Sequence, residues 1–261
     1  MEICVCVKRV PMVGGEIVVT PDGLDVDTTM AGFTVSPHEE CGVEEAVRIT
    51  ERLGGSVTVL TLGPAQASDQ LRDMLALGAS RAILLRTDGA EWGPIATAAA
   101  IADTVLGGGG YDLLLFGNEA ADTGGYQVPV RVAHRLGWPC VTGIKRLEVV
   151  TEAEKGPERV VAAREYAGVE ETFDVPLPAV VSVKEGINLP RYPSLPGRLR
   201  AKRATIETVD LAGCAGSSGD GLVKRGLRIP DASGARSEVL GSGAAAVPAL
   251  VRLLDELGLL R

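Results

Sequence analysis

Residues 111–127 read YDLLLFGNEAADTGGYQ, an apolar run of the kind buried on both faces of a sheet, followed by a glycine-rich stretch. A glycine-rich loop that leaves a strand and enters a helix is the usual seat of nucleotide phosphates, because the first N–H groups of the helix point at the ligand. This loop carries two carboxylates, Glu119 and Asp122, and the first basic residue after it is Arg131. Gly117, Gly124 and Gly125 open backbone conformations closed to other residues. Thr123 adds a hydroxyl, and a helix expected over 125–136 would offer the free N–H groups of residues 124–128. The residues admit two readings: a phosphate cradle without lysine, or a plain strand-to-helix turn capped by Asp122 or Thr123.

Outward from that loop, strands are expected at 3–8 (ICVCVK), 57–62 (VTVLTL), 81–86 (RAILLR) and 139–142. Helical patterns lie between them at 38–54, 65–77 and 93–106. Alternation of this kind implies a parallel sheet with helical crossovers. After about residue 145 the rhythm changes. Runs at 146–150, 159–167 and 179–185 read as antiparallel strands added to the sheet edge. The segment PRYPSLPGRLR (190–200) holds three prolines and is not expected to be regular throughout. A small-residue linker, 212–220, precedes an amphipathic helix at 247–260. That helix suits either another chain or the parent core.

The 261-residue chain has a net charge of −8, which argues against nucleic acid as a partner. No apolar segment approaches the ~20 residues of a membrane span. The N-terminus, MEICVCVKRV, reads as a first strand rather than a signal peptide. Cys4, Cys6, Cys41, Cys140 and Cys214 form no CxxC pair and read as packing residues, which suits a cytoplasmic protein. With only His38 and His134, a histidine-rich metal site is not expected.

Known catalytic loops are missing. There is no G-x-x-x-x-G-K-[ST], no G-x-G-x-x-G after the first strand, and no G-x-S-x-G elbow. The stretch NLPRYPSLPGRLRAKR (188–203) instead holds five basic residues and no acidic one between 191 and 203. Leu195, between Ser194 and Pro196, reads as an exposed apolar anchor ringed by positive charge, or as a core leucine beside a solvated basic face.

Together, VKRVP (7–11), VEEAVR (43–48), GPAQ (63–66), LRDMLALGASRAILL (71–85), GNEAADTGGYQVP (117–129), LPAVVSV (177–183), PRYPSLPGRLRAKR (190–203) and IE (206–207) resemble the electron transfer flavoprotein β-subunit family, in order along nearly the whole chain. The resemblance implies a three-layer α/β fold of the adenine-nucleotide α-hydrolase type, a parallel sheet flanked by helices with added antiparallel edge strands and a C-terminal arm. It implies a nucleotide-binding domain at 1–207 with a partner-recognition loop at 188–203. Residues 208–261 would be a linker and arm contacting the α subunit. It implies an electron carrier without substrate chemistry of its own. Such a carrier pairs with an α subunit that holds most of the FAD site, takes electrons from dehydrogenases of the acyl-CoA type and passes them to a quinone oxidoreductase. AMP would sit in this chain, or a second FAD in the electron-bifurcating branch. Carried over by position, the pocket would involve Cys6, Ser36, Leu62, Gly63, Gly117, Asn118, Glu119, Ala120, Asp122, Thr123, Gly124, Gly125, Tyr126 and Gln127. Leu195 would be the docking anchor, with Arg200, Lys202 and Arg203 the basic residues after it and Glu165 a contact to the α subunit's flavin domain.

The chain departs from the family pattern in three places. Ser36-Pro37 stands where relatives carry Asn-Pro, the run from Asp122 to Gln127 is shortened, and Met12-Val13 replaces more polar or aromatic residues. Two rival functions follow from the residues: a stand-alone adenine-nucleotide enzyme or sensor, and an interaction module without a ligand.

Overall fold

The computed structural model describes residues 1–12, 17–89, 91–152, 156–213, 224–230 and 238–260. Val13, Cys214 and most of the 212–220 linker lie outside the described residues. Seven parallel strands make the central sheet: β1 (Glu2–Cys6), β4 (Ser56–Gly63), β5 (Arg81–Arg86), β6 (Leu113–Gly117), β7 (Cys140–Ile144), β11 (Ala179–Val183) and β12 (Glu207–Asp210). Their order is β12-β5-β4-β1-β6-β11-β7. A short antiparallel pair, β2 (Val10–Pro11) and β3 (Phe33–Thr34), follows β1.

Helices α1 (Pro37–Leu53) and α2 (Ser68–Leu77) cover one face, and α3 (Pro94–Gly107) and α4 (Val128–Leu136) the other. Alternate strand residues serve the two layers, since side chains point to opposite faces. Ile3 and Val5 enter the core under α1 and α2, whereas Cys4 and Cys6 enter the one under α3 and α4. Both thiols are buried, and burial beside Cys4 pushes the Cys6 thiol well up, which suits packing rather than redox chemistry. The three-layer α/β expectation holds.

Two expectations about the second half are corrected. Residues 179–183 do not form an antiparallel edge strand: β11 runs parallel between β6 and β7. All five of its residues are buried, and a continuous apolar run without alternation is the mark of an interior parallel strand. The antiparallel strands β8 (Arg146–Glu152), β9 (Gly156–Tyr166) and β10 (Val169–Pro176) form their own sheet in the order β10-β9-β8. One face of it packs Leu147, Val149, Val160, Ala162 and Val175 into the α1/α2 core. The other carries the cross-strand pairs Arg146–Glu170 and Arg159–Asp174, while Arg164–Glu171 lies on the packed face, with the Arg164 guanidinium over the Phe173 ring. The proline-rich segment is irregular over 190–194, as expected, and then turns helical. Ser194 accepts the Gly197 N–H and starts α5 (Leu195–Arg203), with Pro196 in the first turn, where its missing N–H costs nothing.

The chain divides into two compact units. The first comprises Met1–Glu16 and Thr28–Lys224; the second comprises Ile17–Asp27 and Arg225–Arg261. In the second unit, residues 19 and 26 form an isolated antiparallel bridge and Leu227 N–H donates to Gly23 O. Its helix α6 (Val247–Glu256) buries no residue, leaving Leu250, Val251 and Leu253 exposed.

Candidate functional site

The strand order reverses at the centre of the sheet: from β1 the chain builds outward through β4 and β5, then returns to place β6 on the other side of β1. In open α/β sheets the crevice beyond the carboxyl ends of the strands at such a reversal is where ligands bind. Cys6 closes β1, Leu62 and Gly63 close β4, and Gly117 closes β6. Ser36 caps α1, and residues 118–127 follow β6 directly. Thus the residues expected around a nucleotide, from Cys6 to Gln127, gather at one edge of the sheet.

Gly117 is needed there for space. A Cβ on it would lie 2.7 Å from Glu39 Cγ and 3.2 Å from the Glu39 backbone nitrogen. Gly117→Ala is therefore expected to destabilise the fold by about 1–3 kcal/mol through overpacking. A urea midpoint equal to that of the parent chain would contradict this close contact.

The loop carboxylates have partners that lie far away in sequence. Lys8 Nζ pairs with Asp122 at 2.7 Å, so the cation missing from the loop arrives from the end of the first strand. Asp122 also accepts the Thr123 N–H at 2.8 Å. Glu119 lies 3.4 Å from His38 Nε2. His38 Nδ1 accepts the Glu185 N–H at 2.7 Å, which assigns the imidazole proton to Nε2, facing Glu119. Ser36 Oγ donates to the Glu119 carbonyl at 3.4 Å, tying the loop to the start of α1.

Capping of the following helix by Asp122 or Thr123 is overturned. The helix begins at Val128, not 125, and Gln127 at its start makes no side-chain cap. The α4 start therefore keeps N–H groups that no capping side chain claims. Just before it, Tyr126 has φ 54° and Gly124 φ 54°; for tyrosine this left-handed backbone is strained.

Beneath the loop lies Glu39. Its two oxygens accept the Lys8 and Ser36 backbone N–H groups, each at 3.1 Å. It forms a reciprocal capping box with Ser36, which Pro37 at the first helical position supports. Burial pushes its carboxyl up to about 8, against those two donors and the nearby Lys8 ammonium. Lys8, His38 and Glu39 were not among the expected site residues. The Ser36-x-x-Glu39 spacing signalled the box, but nothing local linked Lys8 to a residue 114 positions away.

The remaining residues lie elsewhere on the surface. Glu165 is exposed on β9. Leu195 is 72% exposed, which excludes the core-leucine reading, and Arg200, Lys202 and Arg203 are exposed further along α5. Two surface cavities, of about 460 and 560 Å³, flank α5, and neither is lined by the glycine-rich loop. Among the described residues there is no cluster of three or more potential metal ligands, and no helix long and apolar enough to cross a membrane.

A parallel sheet reversing at β1, with a glycine-rich loop over the reversal and the start of α4 behind it, defines a doubly wound α/β protein of the crevice-binding class. Residues 24–213 match the family described as the electron transfer flavoprotein domain. The chain is 33% identical over 213 residues to the electron transfer flavoprotein subunit beta of Bacillus subtilis, covering 81% of this chain and 79% of that one. It is 36% identical over 217 residues to the subunit beta of Mycobacterium leprae, with the same coverage of 81% and 79%. It is also 36% identical over 208 residues to the mitochondrial subunit beta of Arabidopsis thaliana, covering 79% and 80%. The chain belongs to the electron transfer flavoprotein β-subunit family.

Proposed function

We propose that the chain is the β half of an electron-carrying heterodimer in the cytoplasm. In this reading an FAD held mainly by an α subunit carries the electrons, and the chain has no substrate chemistry of its own. Dehydrogenases of the acyl-CoA type supply electrons, a quinone oxidoreductase or similar acceptor removes them, and AMP fills the crevice in this chain. The observation that carries the nucleotide is the gathering of Cys6, Ser36, Leu62, Gly63 and the 117–127 loop at the switch point. The residues fit such a ligand. The start of α4 has no side-chain cap, Gly124 and Tyr126 turn the loop back, and Lys8 stands beside Asp122. Lacking a cation of its own, the loop is poorly equipped to stabilise the charge that develops in phosphoryl transfer; holding a nucleotide through backbone amides is the task it suits.

When bound, FAD would supply one- and two-electron redox chemistry. This chain's part is positional: Leu195 meets the donor, Glu165 meets the α subunit's flavin domain, and residues 208–261, with the exposed apolar side of α6, lie along the α subunit. The test is co-purification with the α subunit, followed by denaturation and mass identification of every released nucleotide. One FAD and one AMP per heterodimer is the expected result. Two FADs and no AMP would replace AMP by the second flavin of the bifurcating branch. Turnover of ATP by the isolated chain would sink the carrier reading.

A further inference from the structure

The segment that leads into Leu195 is fastened to α1 at two points: Asn188 Nδ2 donates to the Cys41 carbonyl and to Glu45 Oε2 at 3.0 and 2.9 Å, and Arg191 makes the second. Arg191 Nε and its backbone N–H both reach Glu44 Oε2, at 2.8 and 3.1 Å, and Nη2 reaches Glu44 Oε1 at 3.2 Å. The same guanidinium spans to Glu51, with Nη1 and Nη2 at 2.6 and 3.0 Å. Glu44 and Glu51 lie on one side of α1, and the Glu44 side chain is only 4% exposed. Three residues later Ser194 caps α5. Gly197 then lets α5 approach α2 so closely that a Cβ there would lie 2.9 Å from the Ala76 carbonyl oxygen. Arg72 of α2 closes the far end, donating to the carbonyls of Ala201, Lys202 and Ala204 at 2.8–3.2 Å. The result is an exposed leucine on a rigid mount, flanked by Tyr192, 85% exposed, with Arg198 stacked over its ring.

We propose that Arg191 is a positioning residue for donor docking: clamped to Glu44 and Glu51, it holds the 191–194 segment so that Leu195 is presented to the dehydrogenase already ordered. The proposal rests on the reading of Leu195 as the docking anchor. A mount fixed beforehand spares the encounter the entropy of ordering a loop, and a planar fork shared between two carboxylates fixes direction as an ammonium does not. Arg191 need not touch the partner, so its effect must pass through Leu195.

The test uses the heterodimer with its flavin, and as donor an acyl-CoA dehydrogenase reduced by its acyl-CoA substrate. The rate is followed as heterodimer concentration varies. Leu195→Ala is expected to raise the KM for the heterodimer. Arg191→Lys, which keeps the charge and loses the fork, is expected to raise it about three- to tenfold with kcat and flavin content unchanged. Glu51→Gln, which leaves the Glu44 contact in place, is expected to act in the same direction by about twofold. In the double variant, Arg191→Lys should add little to Leu195→Ala, because the two act in one chain of effect. An unchanged KM in Arg191→Lys beside a raised one in Leu195→Ala would overturn the clamp and spare the anchor. Additive effects would equally overturn it. If Leu195→Ala has no effect, or the unmodified heterodimer takes no electrons from this donor, the anchor reading falls and the clamp with it.

Discussion

Replacing Arg191 by alanine is expected to cost the fold about 3 kcal/mol, the low end of what breaking a buried ion pair costs. The loss comes less from the missing attraction than from what stays behind. Glu44 is buried and would be left with Arg48, whose Nε lies 3.2 Å from Glu44 Oε1, and the residue-191 backbone N–H, 3.1 Å from Oε2. Glu51 is exposed and can return to water, so its half of the fork contributes little. For a chain of this size the change corresponds to a fall in Tm of about 6–12 °C. A loss below about 1 kcal/mol would mean that Arg48 and the residue-191 N–H together satisfy Glu44. The same experiment separates stability from docking, since Arg191→Lys is expected to melt closer to the parent than Arg191→Ala does.

The second large effect is one of pH. The Glu39 carboxyl titrates at about 8 in the folded chain, against an ordinary value of 4.5. Between those two pH values the folded state therefore holds a proton that the unfolded state has released. Stability then falls as pH rises through the window, by at most about 1.4 kcal/mol per pH unit, and levels off above the folded value. Glu40 and Asp73, both raised by burial, slope the same way, so the informative quantity is a difference between variants. Glu39→Gln cannot release a proton. It is expected to be less stable than the parent at pH 5, where its amide faces one of the two backbone donors, and to close or reverse that gap by pH 8. Denaturant melts at the two pH values decide the matter. Parallel curves would show that Glu39 stays ionised in the fold.

Much of the fold was legible because its signals are local. The buried strands at 3–8, 57–62, 81–86 and 111–116 announced themselves as short apolar runs, and the helices between them as apolar stripes. Local pattern, however, says nothing of strand order. AVVSV could be seen as a strand, but its place between β6 and β7 depends on pairings more than 35 residues distant. The candidate site divides in the same way. The glycines of the loop were visible, as was the run of bases on what became α5. The Lys8–Asp122 ion pair and the His38–Glu119 contact join residues that only the folded sheet brings together, so the carboxylates looked unpartnered in the sequence. Leu195 could be seen as apolar, but whether it faces water depends on how Gly197 and Arg72 seat its helix.

The excursion from β7 to β11 joins two neighbouring parallel strands, a task that elsewhere in this sheet falls to helices. Here three antiparallel strands perform it. A helical connection spends its backbone hydrogen bonds on itself. A stranded one leaves a row of N–H and C=O groups along each outer strand, β8 and β10, which pair only with β9 among the described residues. Such rows are templates on which a foreign strand can grow. The two arginine–carboxylate pairs across the open face, Arg146–Glu170 and Arg159–Asp174, make a flat, apolar stack of such ribbons costly. The crossover is thus a stretch of sheet whose charges discourage an uninvited strand from extending it.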